Sequence, residues 1–336
     1  MRDDSVDVLV VGAGICGLAV AITAARRGLS VQCVGDGRPG TSGDNFGQLH
    51  SGAVYAPVLP AVAQACWQYR HRWYDLIGPA RAGGAHGLAL FRVPDTVDRY
   101  RAAWHTLGID VAEVDPRTAD PFGHAVAAFR IPDHSVHLPA LRASLLDLAR
   151  ASGVRTATGY DVTVRRDPST TLVTAGVGPR FRTIVLATGA DTPALLAHAG
   201  IGNTLRTRRI AWGRLPQATS GTLTYWLDGD MLAISPDRDG ARVGLPGTAG
   251  RYGTTEAEYA RLHAALAQRG MAAESLSLRW GTVCEPGEAG ADPSALIMDL
   301  RGPLAGWSPA ANLIVALPGK WTTAWHCADQ VIDAIA

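Results

Sequence analysis

Lysine is nearly missing from this chain: of the 31 basic residues among its 336, all but Lys320 are arginine. Acidic residues number 30, so the net charge is only +1, and no run of basic residues stands out. A chain so balanced lacks the electrostatic footprint of a nucleic-acid binder. Cysteine is also scarce. Cys16, Cys33, Cys66, Cys284 and Cys327 form no C-x-x-C pair, which argues against a disulfide framework or a zinc site and fits a reducing cytoplasm. Long hydrophobic runs are absent too. The most apolar stretch, residues 8–25, is broken by three spaced glycines, follows Asp3, Asp4 and Asp7, and has no small-residue cleavage site. It reads neither as a membrane span nor as a signal peptide, so a cytoplasmic protein without transmembrane segment, nucleic-acid partner or metal is expected.

What is present points to a large α/β core. At 47% hydrophobic the chain can bury two lobes. No internal repeat or low-complexity linker appears, so those lobes are expected to interleave. Residues 8–11 read as a buried strand, followed by a glycine turn, an Ala-rich helix stopped at Gly28 and a second strand at 30–34. Gly12, Gly14 and Gly17 have G-x-G-x-x-G spacing. The first glycine makes the tight turn, the second lets backbone approach a diphosphate, and the third lets the helix pack on the strand. Ala13, Ile15 and Cys16 lie between them, and the helix N-terminus supplies positive potential for the anion. A strand-framed turn of this kind marks a dinucleotide site. The acid that grips ribose normally ends the second strand, but Gly35 stands there and Asp36 follows. Either Asp36 takes the ribose contact after a shift in the turn, or backbone and water hold the ribose.

Residues 40–57 are rich in Gly, Ser, Asn and Asp and exclude a regular helix or central strand. Following the second strand, this loop faces the same crevice, with Thr41, Ser42 and Asn45 as polar groups; a plain surface loop is the alternative. Amphipathic helices are predicted at 61–77 and 95–107 around a strand at 87–93. A helix at 139–152 and strands at 160–165 and 181–188 follow, the last running into a turn at Gly189. Short antiparallel strands at 210–215, 222–227, 231–235 and 241–245, a helix at 256–269 and a strand at 275–282 complete a mostly β lobe. Near the C-terminus the lone lysine sits in LPGKWTTAW, ahead of a helix over 324–335.

GAGICG, DNFGQLHSGAVY, ATGADTPALL, SPDRDGARVGLPGT and NLIVALPGKWTTAW together resemble the D-amino-acid oxidase (DAO) superfamily of FAD-dependent oxidoreductases, in order along nearly the whole chain. QLHSGAVYAP is similar to the loop of L-2-hydroxyglutarate dehydrogenases, and PGKWTT to the turn of FAD-dependent glycerol-3-phosphate dehydrogenases. The resemblance implies a Rossmann-type FAD-binding lobe (1–80, 138–205, 300–336) interleaved with an antiparallel or mixed-sheet substrate lobe (81–137, 206–299) that roofs the flavin ring. It also implies site residues. Gly12, Gly14 and Gly17 hold the diphosphate. Thr41, Ser42, Asn45, Phe46, Gly47, Gln48 and Leu49 run beside the ribityl chain and flavin, while Val162 meets the adenine edge. Gly189 closes a second nucleotide contact, and Gly319, Lys320, Trp321 and Thr322 sit at the pyrimidine end of the flavin. A cation or helix N-terminus there stabilises the charge gained on reduction, and Lys320 ahead of a helix offers both.

The implied activity is hydride removal from a CH–NH or CH–OH bond of a small-molecule substrate, with oxygen, quinone or another carrier as electron acceptor. Relatives commonly clamp a substrate carboxylate with an arginine in a W-x-G-x-R-P strand, but here the stretch is RWGTVCEP. Either Arg279 serves from the other side of Trp280, or the substrate lacks that carboxylate. His50, in the flavin-facing loop, is either the proton-transferring residue or a structural hydrogen-bonding group. Tyr225, Trp226, Arg208 and Arg209 line the pocket or serve as sheet packing and solvated charge. A nicotinamide dehydrogenase has no use for the ATGA turn or the glycine-lysine turn, and an FAD-dependent aromatic hydroxylase needs a late G-D-A-x-H segment that is missing. A non-catalytic flavin-binding subunit of a larger assembly is the remaining alternative.

Overall fold

The computed structural model describes residues 6–38, 40–43, 45–78, 80–159, 163–167, 169, 173–175, 181–216, 221–229, 231–245, 253–286 and 297–336. Two compact units emerge: 1–43, 142–208 and 282–336 form the first, and 44–141 with 209–281 the second. The residues 44–80, assigned from sequence to the nucleotide lobe, lie in the second unit. Ala53, Val54, Ala56 and Ala63 are buried there with Phe91, Tyr100 and Trp104, which gives that segment its core.

The first unit is built on a six-stranded sheet in the order Ile297–Asp299, Leu313–Ala316, Phe181–Leu186, Val6–Val11, Val31–Gly35, Arg155–Thr158. All neighbours are parallel except the edge strand Ile297–Asp299. The central strands are near-continuous apolar runs because both faces are covered, the signature of a parallel sheet. Leu9, Val11, Ile184, Leu186, Leu313 and Val315 share one buried cluster. The helix Ile15–Arg26 is buried along almost its whole length and packs against the C-terminal helix Ala324–Ile335. It ends in a Schellman motif: Gly28 adopts φ +86°, Gly28 N–H donates to Ala25 O at 2.9 Å and Leu29 N–H to Ala24 O at 3.2 Å.

The second unit carries an eight-stranded sheet in the order Ser277–Pro286, Leu205–Leu215, Gly240–Gly244, Ala233–Asp237, Thr224–Trp226, Gly87–Phe91, Ala127–Ile131, Ala112–Val114. The chain passes between the units along the first two of these strands. One face packs Tyr225, Ala233, Ala89 and Phe91 with the helix Pro94–Leu107. The other packs Trp226, Ile234 and Val243 with Leu262 and Leu266 of the helix Thr255–Ala267. A two-stranded ribbon pairs Gln48–Leu49 with His134–Ser135.

Several boundaries depart from the sequence reading. The polar loop contains a four-residue helix, Gly40–Gly43, and a 3-10 turn, Ala53–Tyr55. The amphipathic stretch 61–77 divides at Arg70 into Pro60–Tyr69 and His71–Ile77. Of the strand expected at 160–165, residues 160–162 lie outside the described residues and pairing begins at Val164. Strands Ala112–Val114, Ala127–Ile131 and Arg155–Thr158 carry no expectation in the sequence analysis. RTAT at 155–158 has no apolar alternation because it is a part-exposed sheet edge. Among the described residues no helix is long and apolar enough to cross a membrane, and no three His, Cys, Asp or Glu side chains gather as a metal site.

Candidate functional site

In the first unit Gly12 and Gly17, beyond the carboxyl end of Val6–Val11, are irreplaceable for steric reasons. Gly12 has φ +111°, and a Cβ on it would lie 2.4 Å from Ala187 O. A Cβ on Gly17 would lie 1.8 Å from Gly12 O, so the helix meets the turn through bare backbone. A Cβ on Gly14 would stand 3.3 Å from Ser42 Oγ, in the space in front of the helix. The helix Ile15–Arg26 begins without a side-chain cap and has no acidic residue in its first turn. Its N-terminus thus keeps its positive potential for an anion. Ile15 N–H reaches Ser42 Oγ at 3.4 Å, and Arg142 Nε donates to Ala13 O at 3.0 Å, adding a guanidinium beside the turn. Sequence reasoning did not find Arg142, because nothing in the sequence of the helix Leu138–Ala151 distinguishes it from Arg150. Cys33, buried within the second strand, has its thiol pushed up to about 12 by burial, against the opposing charge of Arg142, and serves as a small apolar residue.

A side chain at Gly35 would meet Ala13 Cβ at 3.0 Å and Ala13 N at 3.1 Å, so the turn itself crowds the place of the usual acid. Asp36 bends away. Its Oδ1 accepts from Arg38 N–H at 2.9 Å and its Oδ2 from the Arg38 guanidinium. Burial pushes this carboxyl up, but the Arg38 backbone and side-chain donors outweigh it and hold the group below the ordinary carboxylate range. Thr41 lies in the short helix Gly40–Gly43 beside Ser42. Val162 lies outside the described residues. Gly189 opens a 3-10 turn with φ +58° after the strand Phe181–Leu186.

The C-terminal motif adjoins this turn. Leu313–Ala316 runs parallel beside Phe181–Leu186, itself parallel beside Val6–Val11. The loops at 12–14, 187–189 and 317–320 therefore leave the same carboxyl edge of one sheet, where open α/β sheets bind ligands. Cys16 Sγ and Cys327 Sγ stand 4.0 Å apart across the two helices. Gly319 takes φ +64°, Lys320 is extended, and Trp321–Thr323 form a 3-10 turn whose Thr323 hydroxyl donates to Lys320 O at 2.8 Å. Trp321 and Thr322 are buried, while Gly319 and Lys320 are exposed. The helix Ala324–Ile335 also starts with no side-chain cap and no acid in its first turn.

In the second unit the segment Asn45 to His50 is pinned by side chains. Phe46 lies on Gly244, where a Cβ would come within 2.8 Å of its ring. Gly47 has φ +74°, and a Cβ on it would meet Val136 O at 2.5 Å. Arg242 donates to Asn45 O and to Asp237 Oδ2, at 2.7 Å through one terminal nitrogen, so its charge is matched. In the ribbon Gln48 faces Ser135 and Leu49 faces His134, which puts Gln48 and His50 on one side and buried Leu49 on the other. Gln48 is 6% exposed and its Nε2 has no partner among the described residues.

His50 belongs to a buried network of residues far apart in sequence, which spacing and periodicity do not reveal. Asp133 is fully buried. Its Oδ1 accepts from Ser51 N–H at 2.8 Å and from the Ser51 hydroxyl at 2.5 Å. Its Oδ2 lies 3.0 Å from the Tyr225 hydroxyl and 3.2 Å from His50 Nδ1. Tyr225 Oη is also 3.3 Å from His50 Nδ1, and Tyr55 meets the imidazole edge-on at 4.8 Å between centroids. Burial, reinforced by Asp133 and by Tyr55, pushes the Tyr225 hydroxyl far above its ordinary range, so it stays protonated. Arg279, by contrast, is exposed on the outermost strand of the sheet. Trp280 beside it lies under the Arg209 guanidinium at 4.3 Å. Arg208 pairs with Glu285 at 3.2 Å, and Trp226 is core on the sheet's other face.

The glycine cradle, the two uncapped helix starts and the Arg142 guanidinium fit an adenine dinucleotide. The profile of the DAO family, FAD dependent oxidoreductase, matches residues 7–334, and the chain belongs to that family. FAD is its cofactor and oxidation–reduction its chemistry. Its fold is similar to that of glycine oxidase from Geobacillus kaustophilus, at 19% identity over 98% of this chain and 94% of that one, with a TM-score of 0.70. L-alpha-glycerophosphate oxidase from Mycoplasma pneumoniae, solved with FAD bound, is similar at 16% identity over 99% and 95%, with a TM-score of 0.71. L-proline dehydrogenase from P.horikoshii matches at 14% identity over 99% and 93%, with a TM-score of 0.68. At these identities the likeness is one of fold alone. Among curated proteins no sequence matches.

Proposed function

We propose that this chain oxidises a CH–OH or CH–NH bond of a small molecule, with His50 as the proton acceptor. The observation that carries the reading is a histidine fixed by a fully buried carboxylate, His50 Nδ1 to Asp133 Oδ2 at 3.2 Å, in the loop that follows the dinucleotide-binding segment. Structural hydrogen bonding alone does not require a carboxylate, whose desolvation is costly. FAD, when bound, supplies the hydride-accepting chemistry. The chain's residues hold and neutralise charge around it. Gly12, Gly14 and Gly17 leave room for the diphosphate, Arg142 and the helix starts supply positive potential, and Lys320 adds a cation at the C-terminal turn.

Between the two bond types, the buried pair favours CH–OH. An alcohol must give up its hydroxyl proton as hydride leaves, whereas an amine that enters neutral already carries the needed lone pair. Glycine oxidase and proline dehydrogenase among the similar structures are named for amine substrates, and glycerophosphate oxidase for an alcohol. With Arg279 exposed and Arg242 matched by Asp237, Gln48 Nε2, which has no partner among the described residues, is a polar donor for a substrate or flavin acceptor. A cytoplasmic setting belongs to the same reading, as do oxygen or a quinone-type carrier as acceptor. Anaerobic mixing of the yellow protein with panels of hydroxy acids, polyols and amines tests it. Bleaching by a hydroxy compound is the expected result, and bleaching by amines alone would refute the preference. Peroxide release on reoxidation marks oxygen as acceptor.

A further inference from the structure

We infer that Asp133 and Tyr225 are positioning residues that hold His50 in its Nδ1-protonated tautomer and so make Nε2 the nitrogen that accepts a proton. The inference rests on the proton-acceptor reading of His50 and adds which atom does the work and what sets it. It follows from counting donors. Ser51 fills Oδ1 of Asp133 with a backbone N–H, which can only donate, and with its hydroxyl. Tyr225 has a single O–H, and the carboxylate oxygen Oδ2 takes it at 3.0 Å. Toward His50 the phenol oxygen can therefore only accept. His50 Nδ1 faces two acceptors, Asp133 Oδ2 at 3.2 Å and Tyr225 Oη at 3.3 Å, and must meet them with N–H. In a neutral imidazole the lone pair then lies on Nε2.

The surroundings favour the same state. A carboxylate has no proton to give, and all its acceptor directions are used, so the four groups form one satisfied unit. Tyr55, edge-on to the ring and itself kept protonated by burial, restrains ring rotation. Among the described residues Asp133, Tyr225 and Tyr55 are titratable groups that face His50, and both phenols stay neutral through the working pH range.

The decisive substitution is Asp133→Asn. Because Ser51 N–H can only donate, the amide oxygen must turn to Ser51, which leaves the NH2 facing His50 and drives its proton to Nε2. Nitrogen NMR of the FAD-loaded protein with 15N-labelled histidine, assigned by the signal lost in His50→Asn, reads the tautomer without substrate. Wild type is expected to be Nδ1–H and D133N to be Nε2–H. Flavin reduction in D133N should fall by about 100-fold with KM changed by only a few fold, and lose the rising limb of its pH profile. Tyr225→Phe should keep the tautomer and slow reduction by roughly tenfold. A wild-type spectrum with Nε2–H overturns the inference even if D133N does not fold, as does a D133N protein with unchanged tautomer and rate. His50→Asn reducing flavin as fast as wild type would instead overturn the proton-acceptor reading, whatever the spectrum.

Discussion

Around Gly12 the chain makes its site by leaving side chains out, whereas around Asp133 it makes one by bringing them in. The first is backbone: a φ of +111°, a carbonyl where a Cβ would be, and an uncapped helix. The second gathers a carboxylate, an imidazole, two hydroxyls and an amide N–H into a buried cluster. A backbone cradle has nothing that titrates, and its failures are steric. A buried polar cluster fails when one member is lost or charged, since the groups left behind are unsatisfied in a low-dielectric interior.

The largest effect should come from filling the cradle. Gly17→Ala puts a methyl 1.8 Å from Gly12 O, with Val10 Cγ1 behind it at 3.3 Å, and neither backbone segment can move without displacing the central strand. A loss of upwards of about 3 kcal/mol in stability is expected, with protein purified colourless. The flavin-to-protein absorbance ratio and the Tm report it, and a yellow, wild-type-stable G17A would dissolve the steric half of the comparison.

The second unit should answer to pH where the glycine cradle of the first does not. His134, 6% exposed, has its pKa lowered from 6.5 to about 4, first by burial and then by the charge of Arg81. A buried neutral histidine is protonated on unfolding, so the unfolded state binds more protons between these values. Stability is full above pH 6.5, falls as pH drops toward 4 and levels off below, a change on the order of 3 kcal/mol. His134→Gln should flatten that slope in urea titrations, and an unaltered slope would assign it elsewhere.

How much was readable follows from the same contrast. The glycine turn is local, so spacing alone revealed it, as it did the strand and helix that frame it. The LPGKWTTAW turn and the helix Ala324–Ile335 were legible for the same reason. His50 stood out because it lies in a loop of unusual composition, but its partner Asp133 is 83 residues away and Tyr225 is 175 away. No periodicity links such positions; only the register of the ribbon and sheet does. The assignment of 44–80 to the nucleotide lobe went by adjacency in sequence, while the packing of Ala53, Val54 and Ala63 decided otherwise. Arg279 drew attention through a motif, yet its edge strand leaves it in solvent.

A smaller effect should separate charge from shape in the first unit. Lys320→Met removes the lone lysine's cation from a turn whose form is set by Gly319 and by the Thr323 hydroxyl on Lys320 O. FAD should therefore stay bound while reduction slows by about tenfold, equivalent to about 1.4 kcal/mol of barrier. Because the side chain is exposed, added salt should shrink the difference. Stopped-flow reduction at low and high ionic strength checks both points, and equal rates would remove Lys320 from the machinery.

The smallest effect is expected where the first unit does use a side chain. Asp36 stands next to the position of the usual ribose-binding acid, yet both its oxygens are engaged by Arg38, and this pair is largely exposed at 40% and 74% of side-chain area. Exposed pairs contribute roughly 0–1 kcal/mol, so Asp36→Ala should barely move the Tm. If the ribose is held by backbone and water, FAD affinity should change by less than about threefold, under 0.7 kcal/mol. Equilibrium titration of apoprotein with FAD measures this directly. A tenfold loss would mean that Arg38 gives up the carboxylate when the ribose arrives, and the cradle would then owe its grip to a side chain after all.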